Sequence, residues 1–364
     1  MKSCTKMQII LYFCIVMDIK QRITFIINPI SGTRSKDDIP LLIDALLDPL
    51  RFDYEVRFTE FRGHAAEIAR QCVADGVDVV VAVGGDGTVN EVAGALVGTE
   101  TALGIVPCGS GNGLARHLRI PIDTSKAISI INQCQIEPFD YGVINGLPFF
   151  CTCGMGFDAF ISLKFAEAGK RGPITYVENV LKEGLRYKPE TYEITDESGT
   201  RHFKAFLIAC ANASQSGNNA YIAPGATMKD GELDVIVMEP FDALEAPQIA
   251  ADLFMKTLGN NSKIKTFRTK SLTIHRKNPG AIHYDGDPIM TGTDIDVHIE
   301  HLGLRIVTNP DAAEDKARPN QVLNAFSDFF NNINNVREDI GKDIEKGGRR
   351  IQAINKVLLR KLRS

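Results

Sequence analysis

The sequence predicts a parallel-sheet α/β domain, then an antiparallel β-sandwich, then an amphipathic helical tail. Three observations carry this. Between residues 20 and 140 apolar strand-like runs alternate with helix-periodic segments, and VDVVVAV and ALGIVP are apolar without alternation. That is the pattern of strands buried on both faces of a parallel sheet. From residue 141 to about 310 the helical rhythm gives way to short segments separated by turn residues, the texture of an antiparallel sandwich. A chain of 364 residues also exceeds one average core, so two domains are expected.

In order, residues 1–19 hold two lysines and the apolar stretch MQIILYFCIVM. They read either as a short membrane-contacting leader or as an over-extended start with Met17 as the true first residue. ITFIINP is the first buried strand, IPLLIDALLDPL a helix, and YEVRFTE a second strand. HAAEIARQCVADG is helical with Gly76 as its stop, VDVVVAV a strand, VNEVAGALVG a helix and ALGIVPCG a strand. In the second domain YEITDESGTRHFKAFLIACANAS gives two strands around a turn. GELDVIVME, SLTIHRK, AIHYDG, DIDVHIE and LRIVTNP give further short strands, the last of which could return to the first domain. PITYVENVLKEGLRY is a helical insert. In the tail, residues 311–364, Val322, Phe326, Phe329, Ile333, Val336 and Ile340 recur at helical steps before a basic end. That helix packs on the chain's own domains or on a second copy, or else lies against anionic lipid.

Composition narrows the function. The hydrophobic share is 44%, the charged share 24% and the net charge −4, so nothing attracts nucleic acid globally. Eight cysteines are scattered without paired C-x-x-C knuckles, against both a zinc site and a secreted disulfide framework. No apolar stretch is long enough to span a bilayer.

Chemistry concentrates in glycine-bearing loops at the carboxyl ends of the parallel strands. The strand VDVVVAV ends in GGDGTVNE, covering Gly84, Gly85, Asp86, Gly87, Thr88, Asn90 and Glu91. A strand passing there into a helix offers free backbone N–H groups and the positive end of a helix dipole, which suit phosphate. Glycine permits close approach. Asp86 beside an anion implies a bridging cation such as Mg²⁺. The strand ALGIVP ends in Gly109, Ser110, Gly111 and Asn112, and the first strand ends in Asn28, Ser31 and Gly32. Three such loops define one crevice, where open α/β sheets bind ligands. Neither glycine loop fits G-x-G-x-x-G or the Walker pattern.

With NPISG at 28–32, GGDGTVNEV at 84–92, PCGSGNGLA at 107–115, GMGFDA at 154–159, MKDGELDV at 228–235 and YDGDP at 284–288, the chain resembles the diacylglycerol kinase and sphingosine kinase catalytic family. The motifs stand in the family's order over residues 20–310. The resemblance implies an ATP site between the two domains, with contacts at Thr59, the 84–90 loop and Ser110. It implies a structural Mg²⁺ held by the Asp230 side chain and the backbone of Thr227 and Glu232. It places the catalytic base in Asp285-Gly286-Asp287, at Asp285 or Asp287. Phosphoryl transfer to an alcohol needs a carboxylate to accept the hydroxyl proton. Asp158 corresponds to a residue that reads the substrate's polar head in sphingosine kinases. The loop GSGNGLA is nearer the sphingoid-base kinases, while Thr88 is nearer the bacterial diacylglycerol kinases.

The expected activity is ATP- and Mg²⁺-dependent phosphorylation of a primary hydroxyl on diacylglycerol or a related lipid, giving phosphatidic acid. A sphingoid-base kinase is the alternative, with an NAD kinase or a non-catalytic sensor further off. An apolar acceptor implies a cytoplasmic protein with peripheral membrane contact, the tail supplying that contact or a homodimer interface.

Overall fold

The computed structural model describes residues 20–32, 36–168, 187–242, 245–310 and 312. The expected leader, the helical insert up to residue 186 and the amphipathic tail from residue 313 lie outside the described residues. The first half holds β1 (Gln21–Ile27), β2 (Phe52–Phe58), β3 (Val79–Gly84) and β4 (Ala102–Pro107), parallel and in the order β2-β1-β3-β4. Every residue of β3 and β4 is buried, which explains their lack of alternation. Edge strand β2 is half exposed. The covering helices are α1 (Ile39–Leu46), α2 (His64–Ala74), α3 (Asp86–Leu96), α4 (Gly113–His117) and α5 (Thr124–Gln133). Their apolar faces close one core on the parallel strands, among them Ile43, Ile68, Val92 and Ile128.

The second half comprises β5 (Ile136–Ile144), β6 (Leu147–Phe149), β7 (Thr152–Gly156), α6 (Phe157–Ala168), β8 (Glu190–Asp196), β9 (Gly199–Ala205), β10 (Leu207–Ala211), β11 (Leu233–Met238), α7 (Ala246–Met255), β12 (Ile264–Thr269), β13 (Ser271–Arg276), β14 (Gly280–Tyr284), β15 (Asp287–Thr291) and β16 (Asp294–Val307). A six-stranded antiparallel sheet runs β12-β11-β10-β7-β14-β15. It faces the strands β16, β13 and β8 across a core built from Met155, Ile208, Val235, Ile274, Ile282 and Val297. Strands β10 and β11 bury both faces. Cys210 and Val235 point into the sandwich, while Ala209 and Ile236 meet a second cluster under α6 and α7.

The sheets of the two halves are continuous. DIDVHIE and LRIVTNP, expected as two strands, form the single strand β16, which pairs with β13 and β5 and reaches β4 through Ile306↔Leu103. The turn residues between the two segments make a register shift between Glu300 and Leu304, with Leu302 at φ +53°. Buried Asp140 on β5 fixes that bulge by accepting from Leu302 N–H at 2.7 Å, His301 Nδ1 at 2.7 Å and Gly231 N–H at 2.8 Å. The motif GMGFDA spans the end of β7 and the start of α6. No described helix is long and apolar enough to cross a membrane.

Candidate active site

Three loops meet at the carboxyl ends of β1, β3 and β4, backbone against backbone. A Cβ on Gly32, at φ +66°, would stand 1.9 Å from the Cys108 carbonyl oxygen, and one on Gly109 would stand 2.6 Å from Gly85 Cα. These glycines therefore let the loops stack on each other, a requirement apart from any ligand. Polar ties finish the cradle. Asn28 Nδ2 donates to Thr88 Oγ1 at 3.0 Å, Cys108 N–H donates to the Gly84 carbonyl at 2.7 Å, and Ser31 Oγ donates to the Asn28 carbonyl at 3.1 Å. Thr59 is buried at the end of β2, its N–H donating to Ile27 at 2.9 Å.

Asp86 is the buckle of this cradle. Its Oδ2 accepts from Asn112 N–H at 2.8 Å and its Oδ1 from Gly113 N–H at 2.7 Å. The carboxylate thus ties GGDGT to GSGNG and sits at the positive end of α4. The space where Gly111 would carry a Cβ holds Asp86 Oδ2, 2.7 Å away. Asn112, at φ +51°, folds back so that its Oδ1 accepts from Gly109 N–H at 2.9 Å. Glu91 on α3 accepts from Gly63 N–H at 2.9 Å and Ala65 N–H at 3.2 Å, so it caps α2. Gly87 and Ser110 are exposed. The first-turn N–H groups of α3 are those a helix leaves without an internal acceptor.

The acidic segment stands on the other half. Asp285-Gly286 is a two-residue hairpin turn between β14 and β15, with φ of +48° and +87°. The Asp285 carboxylate reaches back to the loop before β7, accepting from Phe150 N–H at 2.7 Å, Cys151 N–H at 2.7 Å and Thr152 N–H at 3.0 Å. Burial pushes its pKa up to about 6, against the pull of those three N–H groups and of His283. Asp285 and Asp86 line one cavity of about 30 Å³, with Asn90, Asn112, Cys151 and Ser216. That void joins the cradle to the acidic turn. Two residues on, Asp287 is half exposed and meets Arg62 of the loop after β2, Oδ1 to Nη2 at 3.1 Å. Asp158, at the start of α6, pairs with His283 on β14 at 2.9 Å.

Sequence reasoning missed Arg62 and the pairing of His283, a strand histidine read as structural; their partners lie 225 and 125 residues away. It also expected the Asp230 side chain, with the backbone of Thr227 and Glu232, to hold a metal, and the structure sets an arginine beside that turn. The Arg268 guanidinium pairs with Asp230, lies 3.2 Å from Glu232 and 3.7 Å from Asp234, and Asp230 Oδ1 accepts from Glu232 N–H at 3.2 Å. Thr227 is exposed. The Arg268 guanidinium is thus the cation these carboxylates meet.

Residues 22–144 match the family described as the diacylglycerol kinase catalytic domain, and residues 152–302 match the YegS C-terminal NAD kinase beta sandwich-like domain. A relative named as a probable YegS-like lipid kinase, from Cronobacter sakazakii, is 30% identical over 53% of this chain and 67% of its own length. The chain belongs to the diacylglycerol kinase catalytic family. Lipid kinase YegS of Escherichia coli is 28% identical over 76% of this chain and 94% of its own length. A Bacillus anthracis diacylglycerol kinase structure shares the fold, with a TM-score of 0.64 and 21% identity over 80% of this chain and 98% of that one. This lipid kinase therefore carries its six motifs on the family's two domains, with cradle and acidic turn at their junction.

Proposed function

We propose that this lipid kinase transfers the γ-phosphate of ATP to a primary hydroxyl of diacylglycerol or a related neutral lipid, giving phosphatidic acid. The cradle of Asn28, Ser31, Gly84–Thr88 and Gly109–Asn112, with Thr59 at its side, holds the phosphates by backbone N–H groups and the α3 dipole. Asp86 keeps a second lone-pair direction on each oxygen. It can therefore help hold a Mg²⁺ arriving with the nucleotide, which supplies neutralisation of phosphate charge. Asp287 is the base. Asp285 has both oxygens committed to backbone N–H groups and serves as the staple of the turn. Asp287 is half exposed and bound only to a side chain that can swing away. The lipid oxygen attacks phosphorus, the bond to the ADP oxygen breaks, and the proton passes to Asp287.

The Arg62–Asp287 contact carries this reading, because it sets the half-exposed carboxylate against the nucleotide-side loop. The exposed apolar side chains Phe61, Ile289 and Met290 adjoin that pair in the chain and offer an apolar rim to a lipid. Membrane contact from the cytoplasmic side, through that rim and the basic tail 311–364, belongs to the same proposal. The test is transfer of labelled γ-phosphate from ATP to dispersed diacylglycerol, sphinganine and ceramide, with NAD as soluble control. Labelled phosphatidic acid supports the proposal, and labelled NADP overturns it.

A further inference from the structure

The loop that leaves β10, residues 212–221, crosses from the sandwich half onto the nucleotide half. Three contacts seat it there. Ser214 N–H donates to His117 Nδ1 at 3.1 Å, Asn218 N–H donates to the Gly111 carbonyl at 3.2 Å, and Arg116 Nη1 reaches Asn219 Oδ1 at 3.4 Å. Against the second glycine loop the fit is backbone on backbone. A Cβ on Gly113 would stand 3.2 Å from Gly217 N, and one on Gly217, at φ +114°, would stand 3.3 Å from Gly111 Cα. The loop also braces itself. Ser216 N–H donates to the Ala220 carbonyl at 3.2 Å, Ala220 N–H to the Gly217 carbonyl at 2.9 Å, and Asn219 N–H to Oε1 of buried Gln215 at 3.2 Å. Ser216 is left exposed on this braced turn.

Its hydroxyl stands where the two parts of the site meet. Ser216 lines the void that Asp86 and Asp285 share, and it is the one hydroxyl among the described residues lining it. Ser216 Oγ lies 3.3 Å from Oγ1 of buried Thr152, whose own N–H donates to Asp285 Oδ1 at 3.0 Å. Either hydroxyl can donate in that pair, so with Thr152 as donor the Ser216 proton is left for a third acceptor. The neighbouring amide of Asn112 is spent on Gly109, through both Oδ1 and Nδ2. A phosphoryl group passing from the cradle toward the acidic turn carries charge on its equatorial oxygens, in a space walled by two carboxylates. A fixed donor facing it from the turn side stabilises that charge. We propose that Ser216 is a catalytic residue of the transfer, its hydroxyl donating a hydrogen bond to an oxygen of the γ-phosphoryl group. The Ser216 proton stays on Oγ throughout, and the proton of the lipid hydroxyl goes to Asp287. This inference rests on the ATP-dependent reading above and adds a donor from the sandwich half to its phosphate site.

The experiment compares wild type, Ser216→Ala and Ser216→Thr with Mg²⁺ present. Affinities for ATP and for ADP are measured by calorimetry, and turnover by label transfer to dispersed diacylglycerol. In Ser216→Ala the ratio of ATP to ADP affinity falls about tenfold and turnover about 10²-fold, while ADP affinity and melting temperature stay as in wild type. Ser216→Thr keeps the hydroxyl and retains both the ratio and the turnover. An unmoved affinity ratio in Ser216→Ala overturns the contact, and an unmoved turnover overturns the catalytic role. A parallel fall in both affinities also overturns the inference, because the loop would then only brace Gly111. The affinity ratio needs no acceptor, so the two readings fail separately. A chain that labels no lipid yet shows the lowered ratio refutes the lipid acceptor and leaves Ser216 at the γ-phosphate.

Discussion

Asp86→Asn separates the two tasks a carboxylate in GGDGT can have, because the structure assigns it a mechanical one. The wild-type side chain accepts from two backbone N–H groups, at 2.8 and 2.7 Å. Hydrogen bonds to a charged acceptor contribute about 1.5–3 kcal/mol each. The asparagine amide keeps one acceptor oxygen and turns its NH₂ toward the other N–H, so the loss is about 2–4 kcal/mol. Glutamate offers no rescue, since Asp86 Oδ2 already stands 2.7 Å from where Gly111 would carry a Cβ. The loosened loop is Gly109–Asn112, so ATP affinity falls along with stability. The chain has no tryptophan, so urea unfolding is followed by circular dichroism, and ATP binding by calorimetry. A variant within about 0.5 kcal/mol of wild type that still loses all transfer refutes the buckle. Asp86 would then serve only as a ligand to the metal-bound nucleotide.

The remaining predictions concern the acidic turn and the arginine cluster. Asp287→Asn lowers turnover by about 10²-fold or more, with unchanged ATP affinity and melting temperature, read by steady-state kinetics and thermal scans. Asp285, held at about 6 against an ordinary 3.8, binds its proton more tightly folded than unfolded. Its contribution to stability is therefore full below 3.8 and is lost as pH rises through about 6. That loss is about 3 kcal/mol, and Asp285→Asn removes this slope from unfolding free energies measured between about pH 4 and about pH 7. Arg268→Ala leaves Asp230, Glu232 and Asp234 without their cation, so melting falls and added Mg²⁺ recovers part of it. If Arg268 is the only cation at that turn, wild-type melting is indifferent to EDTA, whereas a drop on chelation places a metal there.

What was legible in the sequence was local. The strands β3 and β4 announce themselves by apolar runs without alternation, and the loops after them by glycine spacing, because both signals lie within about ten residues of chain. What was not legible depends on partners far apart in sequence. The Gly32 requirement is set by Cys108, the role of Asp86 by Asn112 and Gly113, and the pairing of His283 by Asp158. Asp-Gly at 285–286 forms a hairpin turn, and the Asp285 carboxylate is spent on Phe150, Cys151 and Thr152, partners more than 130 residues away. MKDGEL carried no sign that Arg268, 38 residues on, would reach its aspartate. Strand β16 was split because its bulge uses turn-like residues, and only Asp140 on β5 shows why the chain continues straight through.

The placement of Asp287 follows from these long-range ties more than from its own hairpin. A two-residue turn fixes the register Tyr284↔Asp287 but leaves the hairpin free to tilt. Three N–H groups on Asp285 remove that freedom by binding the turn to the segment before β7. That segment is held in turn by buried Asn212, whose Nδ2 donates to the Phe150 and Asp140 carbonyls at 2.9 Å each. Asp140 anchors β5 to β16, and β16 runs on to β4, whose end carries the second glycine loop. The path from Asp287 to the glycine loops thus passes through strands and backbone hydrogen bonds, with Asn212, Asp140 and Asp285 as side-chain links. Rigid links of this kind suit a transfer that needs donor and acceptor aligned. They also locate the adjustable part of the site, since Arg62, 80% exposed at its side chain, is the contact to Asp287 that can open without breaking any of them.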